Sequence, residues 1–282
     1  VPVGLNDILQ LLEEAKENDN IKGIILDLTT LQTGYAKLTE VRNKIEAFRE
    51  SGKFVYAYSE YYYYPTYYLA SVADSVFIHP EGQMAFTGMV AEVAFFSNAL
   101  KKLGLEMQVV RAGKFKGAVE PYTRTDLSEE NRQQIQEYIN SIYGETLAKI
   151  ANSRGLTEEQ MRADADDLTK QSLDHFIANK YIDMSLYKDE LYSLMKRRMG
   201  VEDTKKVPLV SEQKYAQQLK AVGSGSDRVA VVYADGQIIG GRGDGTQIAA
   251  EDLAKTLKKV RQNDRIKAVV FRINSPGGSA LA

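Results

Sequence analysis

Cysteine is absent from the 282-residue chain. That excludes a thiol nucleophile, disulfides and any cysteine-ligated metal. Histidine occurs only twice, at His79 and His175. Neither has a His or Cys at metal-ligand spacing, so no metal and no cofactor is expected. Neither sign of charge dominates: 36 Lys plus Arg against 38 Asp plus Glu leave a net charge of −2. With no basic stripe of interleaved aromatics either, nucleic acid is not an expected partner. No apolar run reaches the roughly 18–20 residues of a membrane span, and no signal peptide opens the chain. At 44% hydrophobic and 26% charged residues the composition is that of a soluble globular protein with ample core.

What the chain does have is an internal likeness. Asp7–Leu28 aligns without a gap on Asp252–Ile273, an offset of 245 residues, and Asp7, Leu12, Asn18, Asp19, Ile21 and Lys22 are identical in both. Each stretch reads as an amphipathic helix, an Asn-Asp turn and an apolar strand. A period this long indicates a duplicated domain rather than a short-repeat solenoid. The two copies part after the strand: the second continues Asn274-Ser275-Pro276-Gly277-Gly278-Ser279, the first Thr29-Thr30-Leu31-Gln32-Thr33-Gly34. Both ends read as cut. The partner of the second-copy strand Val229–Tyr233 would fall about 16 residues before Val1, and Ala282 closes one turn into an expected helix.

Periodicity predicts helix 5–17, strand 23–28, helix 37–51, strand 53–58, a helix near 62–72, strand 75–79, helix 92–103 and strand 106–110. Short β-rich runs between helical patterns indicate an α/β architecture with mainly parallel strands. From Leu127 to about Gly200 the pattern is helical, with Ser128-Glu129-Glu130 and Thr157-Glu158-Glu159 as start signals. The organisation expected is an N-terminal copy over 1–205 including the helical segment 127–200, a linker over 206–227 ending in Gly223-Ser224-Gly225-Ser226, and the opening of a second copy over 228–282.

Four groups invite chemical readings. Gly277 and Gly278 sit where an apolar strand hands over to a helix, where two backbone amides can form an oxyanion hole; Pro-Gly also marks a plain tight turn. Ser279 reads as an N-cap or a supporting group rather than a nucleophile. The loop Gly113-Lys114-Phe115-Lys116-Gly117-Ala118-Val119-Glu120-Pro121 ends a predicted strand, and either lysine could be a solvated charge or a general base. Free lysine titrates near 10.4, so a base working near pH 7 needs a shift of about 3 units, which burial among Phe115, Ala118 and Val119 could supply. Spacing does not choose between Lys114 and Lys116. The tyrosines Tyr56, Tyr58, Tyr61–Tyr64, Tyr67 and Tyr68 could line an apolar peptide groove or, the favoured reading, pack one copy on the other. His79 is expected at a strand end and His175 on a helix surface.

Taken together, Val110–Tyr122 (VRAGKFKGAVEPY), Phe271–Ser279 (FRINSPGGS), the strand GKFVYAYSE and Tyr67–Ser71 (YYLAS) resemble protease IV, the signal peptide peptidase A family, over essentially the whole chain. The resemblance implies a duplicated crotonase/Clp-protease-like ββα spiral with a helical insert between the copies. It also implies a membrane-associated serine protease with a Ser–Lys dyad that degrades cleaved, apolar signal peptides. In that pattern the lysine matches Lys116, Gly277 and Gly278 match the oxyanion hole, and the nucleophilic serine falls near residue 310, beyond Ala282. Pro65-Thr66 and Gln32-Thr33 stand at the corresponding places of the first copy, which is therefore expected to be inert; the fragment alone is expected to be inactive. Implied partners are hydrophobic peptides, a homo-oligomer such as a tetramer, and a membrane reached through an N-terminal anchor, with the catalytic part on the periplasmic side of a bacterial inner membrane. The rivals are an acyl-CoA hydratase or isomerase of the same spiral fold and a non-catalytic scaffold.

Overall fold

The computed structural model describes residues 4–31, 33–202, 204–217 and 226–282. Gln32 and Gly223-Ser224-Gly225 of the expected linker lie outside them. The chain divides into two compact units, Val1–Leu219 and Lys220–Ala282.

The first unit opens with α1 (Leu5–Glu17), which buries Leu11, Leu12 and Ala15 at helical spacing and is closed by Lys53. The Lys53 ammonium donates to the carbonyls of Ala15, Lys16 and Asn18 at 2.8, 2.9 and 2.7 Å, satisfying acceptors that a helix end leaves unpaired. Then follow β1 (Gly23–Asp27), α2 (Tyr35–Arg49), β2 (Phe54–Tyr62), α3 (Tyr64–Ala70) and β3 (Ser75–Met84). The strands pair in parallel, with Gly23 opposite Phe54 and Tyr56 opposite Ser75. A side chain at Gly23 would place its Cβ 2.5 Å from the Phe54 ring, so glycine is required for this register. Asp74 ties the layers by accepting the Val55 N–H at 2.8 Å while pairing with Arg49 at 2.7 Å.

Beyond β3 the chain forms α4 (Ser97–Lys102), α5 (Glu120–Thr123), α6 (Glu129–Arg154), α7 (Glu158–Asp166) and α8 (Leu173–Ala178), then returns as β4 (Met184–Ser185) beside β3. The sheet is parallel throughout, in the order β1-β2-β3-β4. After β4 come α9 (Lys188–Met199) and α10 (Glu212–Ala216). The predicted caps are present: Ser128 accepts from the Asn131 N–H and Thr157 from the Gln160 N–H, each at 3.2 Å.

Several expectations need correction. No strand forms over 106–110; residues 105–112 are irregular, and Val110 is fully exposed with no neighbouring strand to accept its backbone. Helix α4 begins at Ser97 rather than 92, and β2 runs on to Tyr62. α10 lies within the stretch read as linker, and its Tyr215 hydroxyl accepts from Asn18 Nδ2 at 3.0 Å.

Most of the tyrosine cluster is core of the first unit rather than a groove lining. Tyr58, Tyr62, Tyr67 and Tyr68 are buried in the first unit's own core. The phenols find partners inside it: Tyr62 donates to the Phe77 carbonyl at 3.0 Å, Tyr67 to the Tyr181 carbonyl at 2.9 Å, and Tyr64 meets Thr146 Oγ1 at 2.9 Å. A large ring with a satisfied hydroxyl fills volume between helix and sheet as well as an aliphatic does. Tyr61 alone of the cluster is widely exposed.

His175 is likewise not a surface residue. Its Nε2 lies 3.2 Å from Asp164, which is fully buried and accepts from Gln160 Nε2 at 2.8 Å and Tyr181 OH at 2.9 Å, with Lys170 Nζ at 3.1 Å. Burial pushes the Asp164 carboxyl up, but these donors outweigh it and lower it to about 2. His79, expected at a strand end, sits instead in the middle of β3, which runs on to Met84; it lies edge-on to the Tyr187 ring.

The second unit comprises β5 (Arg228–Asp235), β6 (Ile238–Ile239), β7 (Ile248–Ala249), α11 (Ala250–Arg261) and β8 (Ile266–Asn274). β5 pairs with β8 and β6 with β7, again in parallel.

Candidate active site

The glycine pair follows directly from the end of β8. Asn274 Nδ2 is held by both carboxylate oxygens of Asp235 at 3.2 Å, so the strand end is pinned before the chain turns. Ser275 Oγ then accepts the Gly277 N–H at 3.1 Å. Gly277 has φ of +104°, a conformation that a residue with a Cβ adopts only with strain. Gly278 makes a parallel bridge to Ile238: the Ile238 N–H donates to the Gly277 carbonyl and the Ser279 N–H to the Ile238 carbonyl, both at 2.9 Å. In such a bridge the residue facing Ile238 uses its neighbours' groups. The Gly278 N–H and C=O are therefore directed to the opposite side. Ser279 Oγ accepts the Ala282 N–H at 3.2 Å, the bond of a helix cap.

The lysine loop belongs to the first unit. Gly113, with φ of +96°, makes a turn whose carbonyl accepts the Lys116 N–H at 3.4 Å. A 3-10 turn over Gly117–Val119 leads into α5. Lys114 and Lys116 are both exposed, Phe115 is about half exposed and Ala118 is exposed. The expected burial of a lysine by Phe115, Ala118 and Val119 is therefore not found. The physical reason is the missing strand over 106–110: with 105–112 irregular, the loop has no sheet edge to lie against.

Sequence reasoning missed the anchor of this loop. Glu120 is fully buried, and its carboxylate accepts from the Ser128 N–H at 3.1 Å, from the Ser128 hydroxyl and from Asn131 Nδ2 at 3.0 Å. Burial alone would raise this carboxyl, but the hydrogen bonds from Ser128 and Asn131 hold it below the usual range. The one sequence signal was an acid in an otherwise apolar Ala-Val-Glu-Pro run.

In the first unit, Tyr63 gathers the groups on either side of the corresponding strand end and helix start. The Leu31 N–H donates to the Tyr63 hydroxyl at 2.5 Å, and Thr66 Oγ1, fully buried, donates to the Tyr63 carbonyl at 2.8 Å. Lys116 and the glycine pair belong to different units. No cluster of His, Cys, Asp and Glu able to hold a metal occurs among the described residues.

The sequence profile of Peptidase family S49 matches residues 47–202, more than half of the chain, including Lys116 and the Glu120 anchor. The chain belongs to peptidase family S49. It is 31% identical over 281 residues to "Serine protease SPPA, chloroplastic" of Arabidopsis thaliana, covering 95% of this chain and 41% of that protein. To "Protease 4" of Salmonella typhi it is 30% identical over 292 residues, covering 99% and 46%. To "Protease 4" of Haemophilus influenzae the identity is 27% over 287 residues, covering 98% and 47%. The chain thus spans less than half the length of these curated relatives. Among the described residues of this S49 chain no helix is long and apolar enough to cross a membrane.

Proposed function

We propose that this chain carries the N-terminal copy and the opening of the C-terminal copy of a serine endopeptidase that degrades cleaved signal peptides through a Ser–Lys dyad. The observation that carries the reading is the Gly277-Gly278 turn, where backbone geometry turns the Gly278 N–H away from Ile238 at the end of a parallel strand. The names of the relatives, two "Protease 4" and one "Serine protease SPPA", support the reaction class. The duplication is supported by α1 and α11, which begin at Leu5 and Ala250, at the same offset as the sequence likeness. The helices α6–α9 then form an insert, and residues beyond α10 lead into the second copy.

In this mechanism the nucleophilic serine lies beyond Ala282. Lys116 takes the proton of its hydroxyl as the oxygen attacks the peptide carbonyl. The amides of Gly277 and Gly278 hold the oxyanion, the Gly277 N–H exchanging its bond to Ser275 Oγ for one to the substrate. The lysinium gives its proton to the leaving amine; the freed Lys116 amine then deprotonates a water, which attacks the acyl ester, and the proton passes to the departing serine oxygen. Lys116 is exposed in this chain, and in this proposal the remainder of the second copy or another subunit covers it. Self-association as a tetramer, an N-terminal membrane anchor and a periplasmic catalytic face complete the proposal. The exposure of Lys116 favours one second reading, a non-catalytic scaffold in which this lysine is a surface charge.

Labelling of the full-length gene product with a fluorophosphonate separates the two. A covalently labelled serine that loses its reactivity in Lys116→Ala supports the dyad; undiminished labelling of the variant removes Lys116 from the role of base, and no labelling of either leaves the scaffold.

A further inference from the structure

Lys116 does not hold its own place. Its side chain is exposed, and its own turn supplies only the long 3.4 Å bond to Gly113. What fixes the backbone behind it is an acid four residues on. The Glu120 carboxylate is fully buried and takes three hydrogen bonds from the start of α6: the Ser128 N–H, the Ser128 hydroxyl and Asn131 Nδ2. Arg111, at the other end of the loop, brings Nη1 to 3.7 Å of the same carboxylate. Asn131 also packs on the residue after the lysine: a Cβ added to Gly117 would sit 2.4 Å from the Asn131 carboxamide. The helix that carries Ser128 and Asn131 is itself bound to the core. Arg42, nearly fully buried, donates to the Lys149 carbonyl at 3.0 Å and to Ser153 Oγ at 2.6 Å near its far end. A rigid 26-residue helix thus grips both the acid and the glycine that bracket the 3-10 turn after Lys116.

We propose that Glu120 and Asn131 are positioning residues, clamping the turn that presents the Lys116 amine to the nucleophile. The inference rests on the reading of Lys116 as general base. It assigns a purpose to a buried carboxylate that the reaction itself does not consume, and to a glycine whose missing side chain is filled by Asn131. Carboxylates bound by amide donors at a helix start are stable anchors, since the helix N-terminus favours negative charge. Misplacement of a reacting group by about 1 Å is enough to cost up to roughly 100-fold in rate.

The test uses the full-length protein, with active sites counted by fluorophosphonate and turnover measured on an apolar peptide. Asn131→Ala and Gly117→Ala alter the clamp without deleting the buried acid; Glu120→Gln keeps its shape. The expected result is a kcat per labelled site lower by about 10-fold or more in Asn131→Ala and Gly117→Ala. KM should stay within about twofold, and the acid limb of the pH–rate profile, which reports the base, should change. Glu120→Gln should fall between these variants and the parent protein. Asn131→Ala and Gly117→Ala that fold, label fully and keep kcat and the acid limb unchanged would overturn the inference. So would a loss confined to the yield of folded protein. Lys116→Ala, run alongside, tests the underlying reading separately: if it keeps full turnover, the base assignment fails in that control whatever the clamp variants do.

Discussion

The carbonyl oxygen of Ile238 lies 2.1 Å from the point that a Cβ on Gly278 would occupy. The two residues are bridged through the Gly277 carbonyl and the Ser279 N–H, so the contact cannot open without breaking the turn. Only glycine satisfies this backbone approach. The same approach sets the direction of the Gly278 amide.

Gly278→Ala should therefore displace the turn rather than shift a side chain. In the full-length protein the variant is expected to lose about 100- to 1000-fold in kcat, the cost of one misdirected oxyanion donor. Steady-state kinetics on an apolar peptide, with circular dichroism to verify the fold, check this. Retention of more than a tenth of the parent rate would remove the Gly278 amide from the hole.

Lysine accessibility offers a test that needs no substrate. In the 282-residue chain, Lys114 and Lys116 should both acylate readily, whereas Lys53, whose three protons go to the Ala15, Lys16 and Asn18 carbonyls, should be slow. In the full-length protein the rate of Lys116 should part from that of Lys114 as its surroundings change. Mass spectrometry of peptides after brief acetic anhydride treatment distinguishes the cases; equal rates for Lys114 and Lys116 in both proteins would favour the scaffold reading.

Arg42 joins three helices. It donates to the Tyr68 carbonyl and Ser71 Oγ as well as to the Lys149 carbonyl and Ser153 Oγ, with its guanidinium 4.9 Å from the Tyr68 ring centre. Burial lowers its pKa, opposed by Tyr68 and Glu46. Arg42→Ala leaves several buried acceptors unpaired and should cost about 3 kcal/mol. For a unit of this size that corresponds to a fall in Tm of about 6–12 °C, readable by calorimetry.

Asp164 sets an acid limit to stability. Its carboxyl is lowered to about 2 from an ordinary 3.8, burial being outweighed by Gln160, Tyr181, His175 and Lys170. A depressed carboxyl stabilises fully above its unfolded value and loses that contribution as pH falls through the folded one. Urea midpoints of the parent should thus drop between pH 4 and pH 2. Asp164→Asn should be less stable at pH 7 and converge on the parent near pH 2. Parallel curves for the two proteins across that range would refute the assignment.

Local patterning was enough to read much of this chain. The 3.6-residue spacing of Leu11, Leu12 and Ala15, the caps Ser128 and Thr157, and the β-branched runs of β1 and β5 depend on neighbours a few residues away, and they specify helices and strands wherever they stand. The glycine turn after β8 and the lysine loop were legible for the same reason, as backbone chemistry written in consecutive residues. Contacts between residues distant in sequence were decided only by the tertiary structure. Residues 105–112 carry strand-like residues but meet no pairing edge. The tyrosines carry groove-like chemistry but find Phe77, Thr146 and Tyr181 inside one core. Asn131 has no pattern of its own, and it becomes a clamp because α6 brings it onto Gly117 and Glu120. A strand needs a partner, a ring needs a cavity and a buried carboxylate needs donors, and none of these is a property of the residue that carries it.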